Sequence, residues 1–186
     1  WNSYLNEKRG DIKMFVKLGP PGRKNKAETI VIHDYDTWNI DVTLAHIIVP
    51  MLKQLKEKKH GAPFVDNEDV SDELRASDED LHTYSKNGET DEHYFDRWDY
   101  VIDEMIWAFQ QKLEEWEEQF TSGEHDYKFV EDPDNTLKDE EGQPMYKMEY
   151  GPNNTFEIDT EGMKKFQARM TNGYKLFGKY YEGLWD

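Results

Sequence analysis

The residue types best suited to chemistry in this chain are the histidines and aspartates between positions 33 and 46. His33, Asp34, Asp36 and His46 offer imidazole nitrogens and carboxylate oxygens at the end of one expected strand and on the helix that follows it. Hard or borderline divalent metals accept such ligands, so these four residues are a candidate metal site. The structural alternative is that Asp34 and Asp36 form turns and cap a helix, while His46 packs in a core.

Asp103 and Glu104 are a second candidate for chemistry, because they lie beside an apolar stripe near the middle of a long expected helix. A carboxyl group near apolar neighbours can have the raised pKa that a general acid requires. On a helix this acidic, carboxylates usually form a solvated face instead. The chain also lacks Gly-x-Gly-x-x-Gly, Walker A, Gly-x-Ser-x-Gly and His-Glu-x-x-His signatures. We therefore expect a non-enzymatic protein without a cofactor, and the sequence assigns no catalytic residue.

The charge balance of the chain argues against a nucleic-acid ligand. Forty Asp and Glu residues against twenty-three Lys and Arg give a formal net charge of -17 over 186 residues. Phosphate backbones are bound by clustered Lys and Arg. The longest basic runs, residues 23–26 and 56–59, are short and separated by other sequence, so no nucleic-acid partner is expected.

The acidic middle of the chain is instead a candidate surface for binding a protein. A patterned carboxylate surface can imitate the charge of nucleic acid and occupy a basic groove, with fast and salt-sensitive association. The expected partner is a host or viral protein with a basic surface, although acidity is also an ordinary route to solubility. The candidate binding residues are Asp66, Glu68, Asp69, Asp72, Glu73, Asp78, Glu79 and Asp80.

The absence of cysteine and of long apolar runs limits the compartment and the chemistry. A chain without Cys fits a reducing compartment, and it cannot supply thiol nucleophiles, iron–sulfur ligands or Cys-ligated zinc. No apolar run approaches the roughly 20 residues that cross a bilayer, so we expect no membrane partner. The length fits a single domain over residues 1–186.

Two strands and a helix are expected to position the His and Asp residues. Alternating apolar residues over 11–18 and a β-branched run over 29–32 predict strands that pair antiparallel. The next helix begins at Thr37 or Asp41. Its apolar stripe, which we expect to face the core, consists of Leu44, Ile47, Ile48, Met51, Leu52 and Leu55.

The rest of the chain predicts further helices and a small sheet. Residues 69–75 favour a short helix, and residues 76–92 predict a mobile acidic loop because they contain few apolar residues. Apolar spacing predicts a long helix from Phe95 to Phe120 and a final helix from Asp159 or Thr160 to Leu184. Segments 127–130, 145–150 and 155–158 predict strands. The expected fold is α+β, with three main amphipathic helices packed with a β-hairpin and a small antiparallel meander.

Five segments of the chain, residues 36–41, 44–56, 60–66, 97–109 and 172–186, carry a resemblance to other proteins. They include Trp38-Asn39-Ile40-Asp41, Arg97-Trp98-Asp99-Tyr100 and Tyr181-Glu182-Gly183-Leu184-Trp185. In these segments the chain resembles a family of uncharacterised proteins that tailed bacteriophages encode and that occur widely in aquatic viral sequence. The resemblance implies a viral origin, with the host cytoplasm or the virion as the expected location. It implies no catalytic residue, because the family has no established activity.

Three functions follow as hypotheses. The leading one is a phage-encoded acidic protein that binds a host or viral protein without catalysis, as a charge mimic of nucleic acid. The second is a virion structural component whose exposed Trp and Tyr residues lie in subunit contacts. The third is a metal-dependent enzyme that uses the His and Asp residues between positions 33 and 46. The sequence determines neither the partner nor the oligomeric state, so a homo-oligomer stays open.

Overall fold

The computed structural model describes residues 16–18, 30–131 and 146–185. Within these ranges the chain forms five α-helices and three two-stranded antiparallel sheets, which confirms the predicted α+β class. The chain divides into two compact units, of which the first is Trp1–Glu114 with Arg169–Asp186 and the second is Glu115–Ala168. That residues 1–186 behave as one domain stays a prediction.

The first element pair is a short hairpin. Strand β1 (Val16–Leu18) pairs antiparallel with β2 (Ile30–Ile32), and Val16 lies opposite Ile32. This confirms the predicted pairing over the three residues of each strand. The remaining predicted strand residues, 11–15 and 29, lie outside the described residues.

Two helices follow the hairpin. Helix α1 (Asp34–Trp38) is separated by Asn39 from α2 (Ile40–Lys58), which continues through Pro50. The buried face of α2 carries Ala45, Val49 and Leu52. Only part of the predicted core stripe is therefore covered, because two of its members, Leu44 and Met51, are exposed.

Helix α3 (Asp78–Asn87) lies where the sequence predicted a loop. A reciprocal capping box begins it: Ser77 Oγ accepts from the Asp80 N–H at 3.2 Å, and the Ser77 N–H donates to Asp80 Oδ2 at 3.0 Å. Gly88 ends it in the left-handed conformation with φ 73°. None of its residues is buried, which explains why apolar periodicity did not indicate a helix.

The core of the first unit is built on helix α4 (Tyr94–Gln111). Trp98, Val101, Ile102 and Met105 of this helix have no exposed surface, and full burial of such side chains contributes about 1.5–3 kcal/mol each. The predicted apolar stripe is thus confirmed at Trp98, Ile102 and Met105, but Phe95 is exposed and the α-helix ends at Gln111. A separate 3₁₀ turn, Trp116–Phe120, follows in the second unit.

The last helix, α5 (Thr160–Lys179), is followed by a 3₁₀ turn at Tyr181–Gly183. The part of α5 from Arg169 onward belongs to the first unit. There Leu176 and the following Tyr180 are buried in the same core as Leu52 of α2. None of the helices in the described ranges combines the length and apolar character that crossing a bilayer requires.

The described residues of the second unit form four short strands. Strand β4 (Tyr127–Glu131) pairs with β5 (Tyr146–Tyr150), while β3 (Thr121–Ser122) pairs with β6 (Glu157–Ile158). The third strand of the predicted meander therefore pairs with β3 and not with β5. An aromatic cluster of Trp116, Phe120 and Phe166 lies in the same unit, with ring centroids 5.1 to 6.1 Å apart.

Candidate functional site

Three of the predicted binding carboxylates surround a single lysine. The Nζ atom of Lys179, in the last turn of α5, lies 2.8 Å from Asp66, 3.0 Å from Glu68 and 2.5 Å from Asp69. A 3₁₀ turn at Asn67–Asp69 brings these carboxylates together. Oxygens of the three groups lie within 4.8 Å of one another, and the lysine ammonium supplies the positive charge at this cluster.

The buried Tyr180 also forms hydrogen bonds with this cluster. Its hydroxyl donates to Asp69 Oδ2 at 2.6 Å and accepts from the Asp66 N–H at 3.0 Å. Burial, together with the hydrogen bond to Asp69, raises the pKa of the Tyr180 hydroxyl. Burial acts to lower the pKa of Lys179, but its hydrogen bonds to Asp66, Asp69 and Glu68 raise it. Lys179 therefore stays charged at neutral pH.

The acidic segment, residues 66–80, is held in place by further hydrogen bonds. The Asn67 side chain donates to the Ala76 carbonyl at 2.8 Å and accepts from the Ala76 N–H at 2.8 Å. Arg75 Nε donates to the Asn67 carbonyl at 3.0 Å. Two 3₁₀ turns, Asn67–Asp69 and Asp72–Leu74, form where the sequence favoured a short helix over 69–75.

The other predicted binding carboxylates fall into two groups. Asp72 forms an ion pair with Arg75 at 2.9 Å, and Asp80 caps α3 at Ser77. Glu73, Asp78 and Glu79 are exposed and have no ion pair among the described residues. Asp78 and Glu79 lie in the first turn of α3, where the helix dipole favours negative charge. These three are the exposed carboxylates of the acidic segment that have no ion pair among the described residues.

The predicted metal ligands between positions 33 and 46 are not brought together as a set. Asp36 is almost fully buried, and its Oδ2 accepts from the His33 N–H at 2.8 Å in a capping box of α1. His33, Asp34 and His46 are exposed. Across the described ranges, the only group of three or more potential ligands with atoms within 4.8 Å is the Asp66, Glu68 and Asp69 cluster. The capping role that the sequence offered as an alternative is the one that Asp36 fulfils.

Asp103 and Glu104 each have a cation of their own. Lys56 of α2 lies 2.6 Å from Asp103, and Arg169 of α5 donates two hydrogen bonds to Glu104, at 3.0 and 2.6 Å. The hydrogen bond to Glu104 raises the pKa of the Arg169 guanidinium, which also lies 3.9 Å from the centre of the Trp107 ring. These carboxylates join α2 and α5 to α4, a structural role that does not resemble the isolated carboxyl group of a general acid.

Sequence reasoning did not identify a buried ion pair beside the acidic segment. Arg97 is 2% exposed and donates to both carboxylate oxygens of Asp91, at 2.9 and 2.5 Å, and to the Leu74 carbonyl at 3.1 Å. The hydrogen bonds from Arg97 hold the pKa of Asp91 below its usual value. The available signal was a basic residue three positions after Tyr94 and four positions before Val101, both of which are buried, because a buried arginine needs a paired carboxylate.

Comparison of the chain with protein-family models, curated proteins and solved structures finds no match.

Proposed function

We propose that this chain is a phage-encoded, non-enzymatic protein that binds a host or viral protein with a basic surface through the acidic segment. The observation that carries the proposal is the exposure of Glu73, Asp78 and Glu79 without ion-pair partners among the described residues. Most carboxylates on α4 have a cation nearby, as Asp99 has Lys59 at 2.6 Å. In the acidic segment, by contrast, these three neighbouring carboxylates have no cation of their own among the described residues.

The hydrogen bonds of the acidic segment support this proposal. Binding costs less when the groups that make contact are already ordered. Asn67 joins the beginning of the segment to Ala76, and the hydrogen bonds of Lys179 and Tyr180 anchor that beginning to the end of α5. A charge mimic needs carboxylates at defined positions, and such anchoring defines them.

The test is a pull-down from bacterial lysate with the tagged full chain, read by mass spectrometry at low salt and at about 1 M NaCl, where the Debye length is about 3 Å. The variant Glu73→Gln/Asp78→Asn/Glu79→Gln removes the unpaired carboxylates. The control Glu114→Gln/Glu115→Gln/Glu117→Gln removes the same charge from exposed positions elsewhere.

We expect the wild type and the control to recover a basic protein at low salt and to lose it at high salt. The acidic-segment variant should recover much less of it. Equal recovery by both variants would place binding elsewhere on the chain, and retention at high salt would contradict a charge-based mechanism.

Exposed aromatic residues favour a virion structural component as the second candidate. Trp38 is 75% exposed, and Trp185 and Tyr181 are also largely exposed. Large exposed aromatic side chains are common in subunit contacts. Mass spectrometry of purified particles should then find the protein at a stoichiometric level, and its absence from particles would exclude this role.

A further inference from the structure

An apolar groove lies beside the carboxyl-terminal half of α2 in the first unit. The volume of the groove is about 650 Å³. Met51 and Leu55 of α2 form one wall, and Phe177 of α5 with the following Tyr181 and Trp185 forms the other. Met51, Tyr181 and Trp185 are each more than half exposed, so the groove is open to solvent along its length.

The apolar surface continues beyond the groove along the same helix. Ile40 and Leu44 precede Met51 by eleven and seven residues, which places all three on one helical face, and all three are exposed. At 1.5 Å per residue, the stripe from Ile40 to Leu55 is about 22 Å long, or about four helical turns. A contiguous exposed apolar surface of this kind marks an interaction site.

The charge at the groove indicates the chemistry of its occupant. Lys58 lines the groove and has no ion pair among the described residues. Lys56 of α2 and Lys59, the residue after the helix, are each paired with a carboxylate of α4 at 2.6 Å. In a chain with a net charge of -17, a lysine left at the edge of an apolar groove is complementary to a carboxylate on a partner.

Two other occupants fit these observations less well. A second copy of the chain would bring two charges of -17 together, and repulsion at that net charge opposes association. A small apolar ligand is usually buried over 70–90% or more of its surface in a cavity, whereas this groove is open and extends into a stripe. An elongated occupant with its own polar outer face suits the shape better.

We propose that the groove binds an amphipathic helix of another protein. Apolar residues at i, i+4 and i+7 of that helix would lie between α2 and residues 177–185, with an acidic residue facing Lys58. This surface contains no residue of the acidic segment, so its binding does not depend on the function proposed above.

The test selects helical peptides from a display library against the full chain and measures their affinity by fluorescence anisotropy. Enriched peptides should share apolar residues at i, i+4 and i+7 and an acidic residue at one end. Met51→Glu places a charge in the groove and should weaken binding at least about tenfold. Because Met51 is exposed, circular dichroism and the melting temperature should match those of the wild type.

Lys58→Glu tests the charge assignment. This variant should bind peptides that carry the acidic residue about two- to fivefold more weakly, as expected for the loss of a partly exposed ion pair. It should bind the same peptides more tightly when lysine replaces that acidic residue. The control Lys53→Glu changes a residue of the same helix that does not line the groove, so it should leave affinity unchanged. The variant Glu73→Gln/Asp78→Asn/Glu79→Gln should also bind these peptides normally.

Several results would overturn the proposal. Enriched peptides without the apolar pattern, or equal binding by Met51→Glu, would remove the groove as the site. A dimer in analytical ultracentrifugation that Met51→Glu converts to a monomer would identify a second copy as the occupant. Saturable binding of a fluorescent fatty acid, lost in Met51→Glu while no peptide binds, would assign the groove to an amphiphile.

Discussion

At the scale of single residues, the pair formed by Arg97 and Asp91 shows how this acidic chain keeps a buried cation. The Arg97 side chain is 2% exposed and that of Asp91 is 12% exposed. Besides its two bonds from Arg97, Asp91 accepts from the His93 N–H at 2.9 Å. The pair therefore holds the beginning of α4 to the segment before it. Removing one partner of such a pair leaves the other charge buried without compensation.

Asp91→Asn should lower the free energy of unfolding by about 3 kcal/mol, because Arg97 loses its counterion in a buried site. Urea denaturation measures this effect. The adjacent Glu92→Gln is the matched control, since the Glu92 side chain is 88% exposed and surface changes usually stay within about 0.5 kcal/mol. An equal decrease in the free energy of unfolding in the two variants would show that the ion pair of Arg97 and Asp91 does not stabilise the fold.

The same pair predicts a dependence of stability on pH. Hydrogen bonds from Arg97 lower the pKa of Asp91 in the folded state, so folding favours the ionised carboxylate. Its contribution is complete above the unfolded pKa of about 3.9 and is lost as the pH falls through the lower, folded pKa. The difference in unfolding free energy between the wild type and Asp91→Asn should therefore shrink as the pH falls below about 3.9. A difference that stays constant below this pH would contradict the assignment.

At the scale of elements, α4 and α5 approach closely at a glycine. A Cβ atom on Gly173 would lie 2.4 Å from Ala108 Cβ and 2.7 Å from the Glu104 carbonyl oxygen. Real Cβ atoms do not pack this closely, so the two helix backbones are in near contact. The Tyr174 hydroxyl donates to the Ala108 carbonyl at 3.1 Å beside this point. The two helices can approach this closely because Gly173 has no side chain.

Gly173→Ala should destabilise the protein by about 1–3 kcal/mol, because the new methyl group pushes α5 away from α4. Gly178→Ala is the matched control on the same helix, since nothing lies within 4 Å of its Cβ position. That control should stabilise the helix by about 0.5–1 kcal/mol through the better helix propensity of Ala. Thermal unfolding of the two variants should shift in opposite directions, and a neutral Gly173→Ala would contradict the close approach.

The lysine at the end of α5 joins the acidic segment to this helix. Lys179→Met should lower stability by about 1 kcal/mol, a value limited by solvent screening because the lysine side chain is 35% exposed. The reason is that Asp66, Glu68 and Asp69 then repel one another without a cation. Lys175→Met, an exposed position without an ion pair among the described residues, is the control in the same urea titration. Equal effects of the two substitutions would show that the cluster contributes nothing.

At the scale of the whole molecule, the two units differ in how much of their chain is buried. The core cluster consists of residues of the first unit, while none of the described residues between 115 and 168 is buried. In the β4–β5 hairpin, Phe129 lies opposite Met148 and Tyr127 opposite Tyr150, and all four side chains are exposed. Few buried apolar contacts imply a low free energy of local opening.

Hydrogen exchange should therefore separate the two units. Amides of α4 should exchange slowest, through global unfolding, while the paired amides of the β4–β5 hairpin should exchange through local opening at a much lower free energy. Mass spectrometry of peptic fragments from the full chain measures both sets. Hairpin amides as protected as those of α4 would show that the second unit unfolds together with the first.

The sequence by itself determined the α+β class, the antiparallel pairing of β1 with β2 and the core positions Trp98, Ile102 and Met105 of α4. Each of these depends on a local pattern, since periodicity and alternation are properties of neighbouring residues. The capping box at Ser77 and Asp80 was also local, but a helix with no buried residue shows no apolar period, so α3 was predicted as a loop.

Only the tertiary structure decided which carboxylates are compensated and which face of α2 is covered. Lys179 reaches Asp69 across 110 residues of sequence, and Arg169 reaches Glu104 across 65. No local pattern encodes such distances. The apolar stripe of α2 likewise predicted a buried face, yet Val49 is buried and Met51 is exposed. The reason is that burial depends on which other elements pack against the helix. Both surfaces proposed for binding, the unpaired carboxylates and the open groove, are set by tertiary contacts.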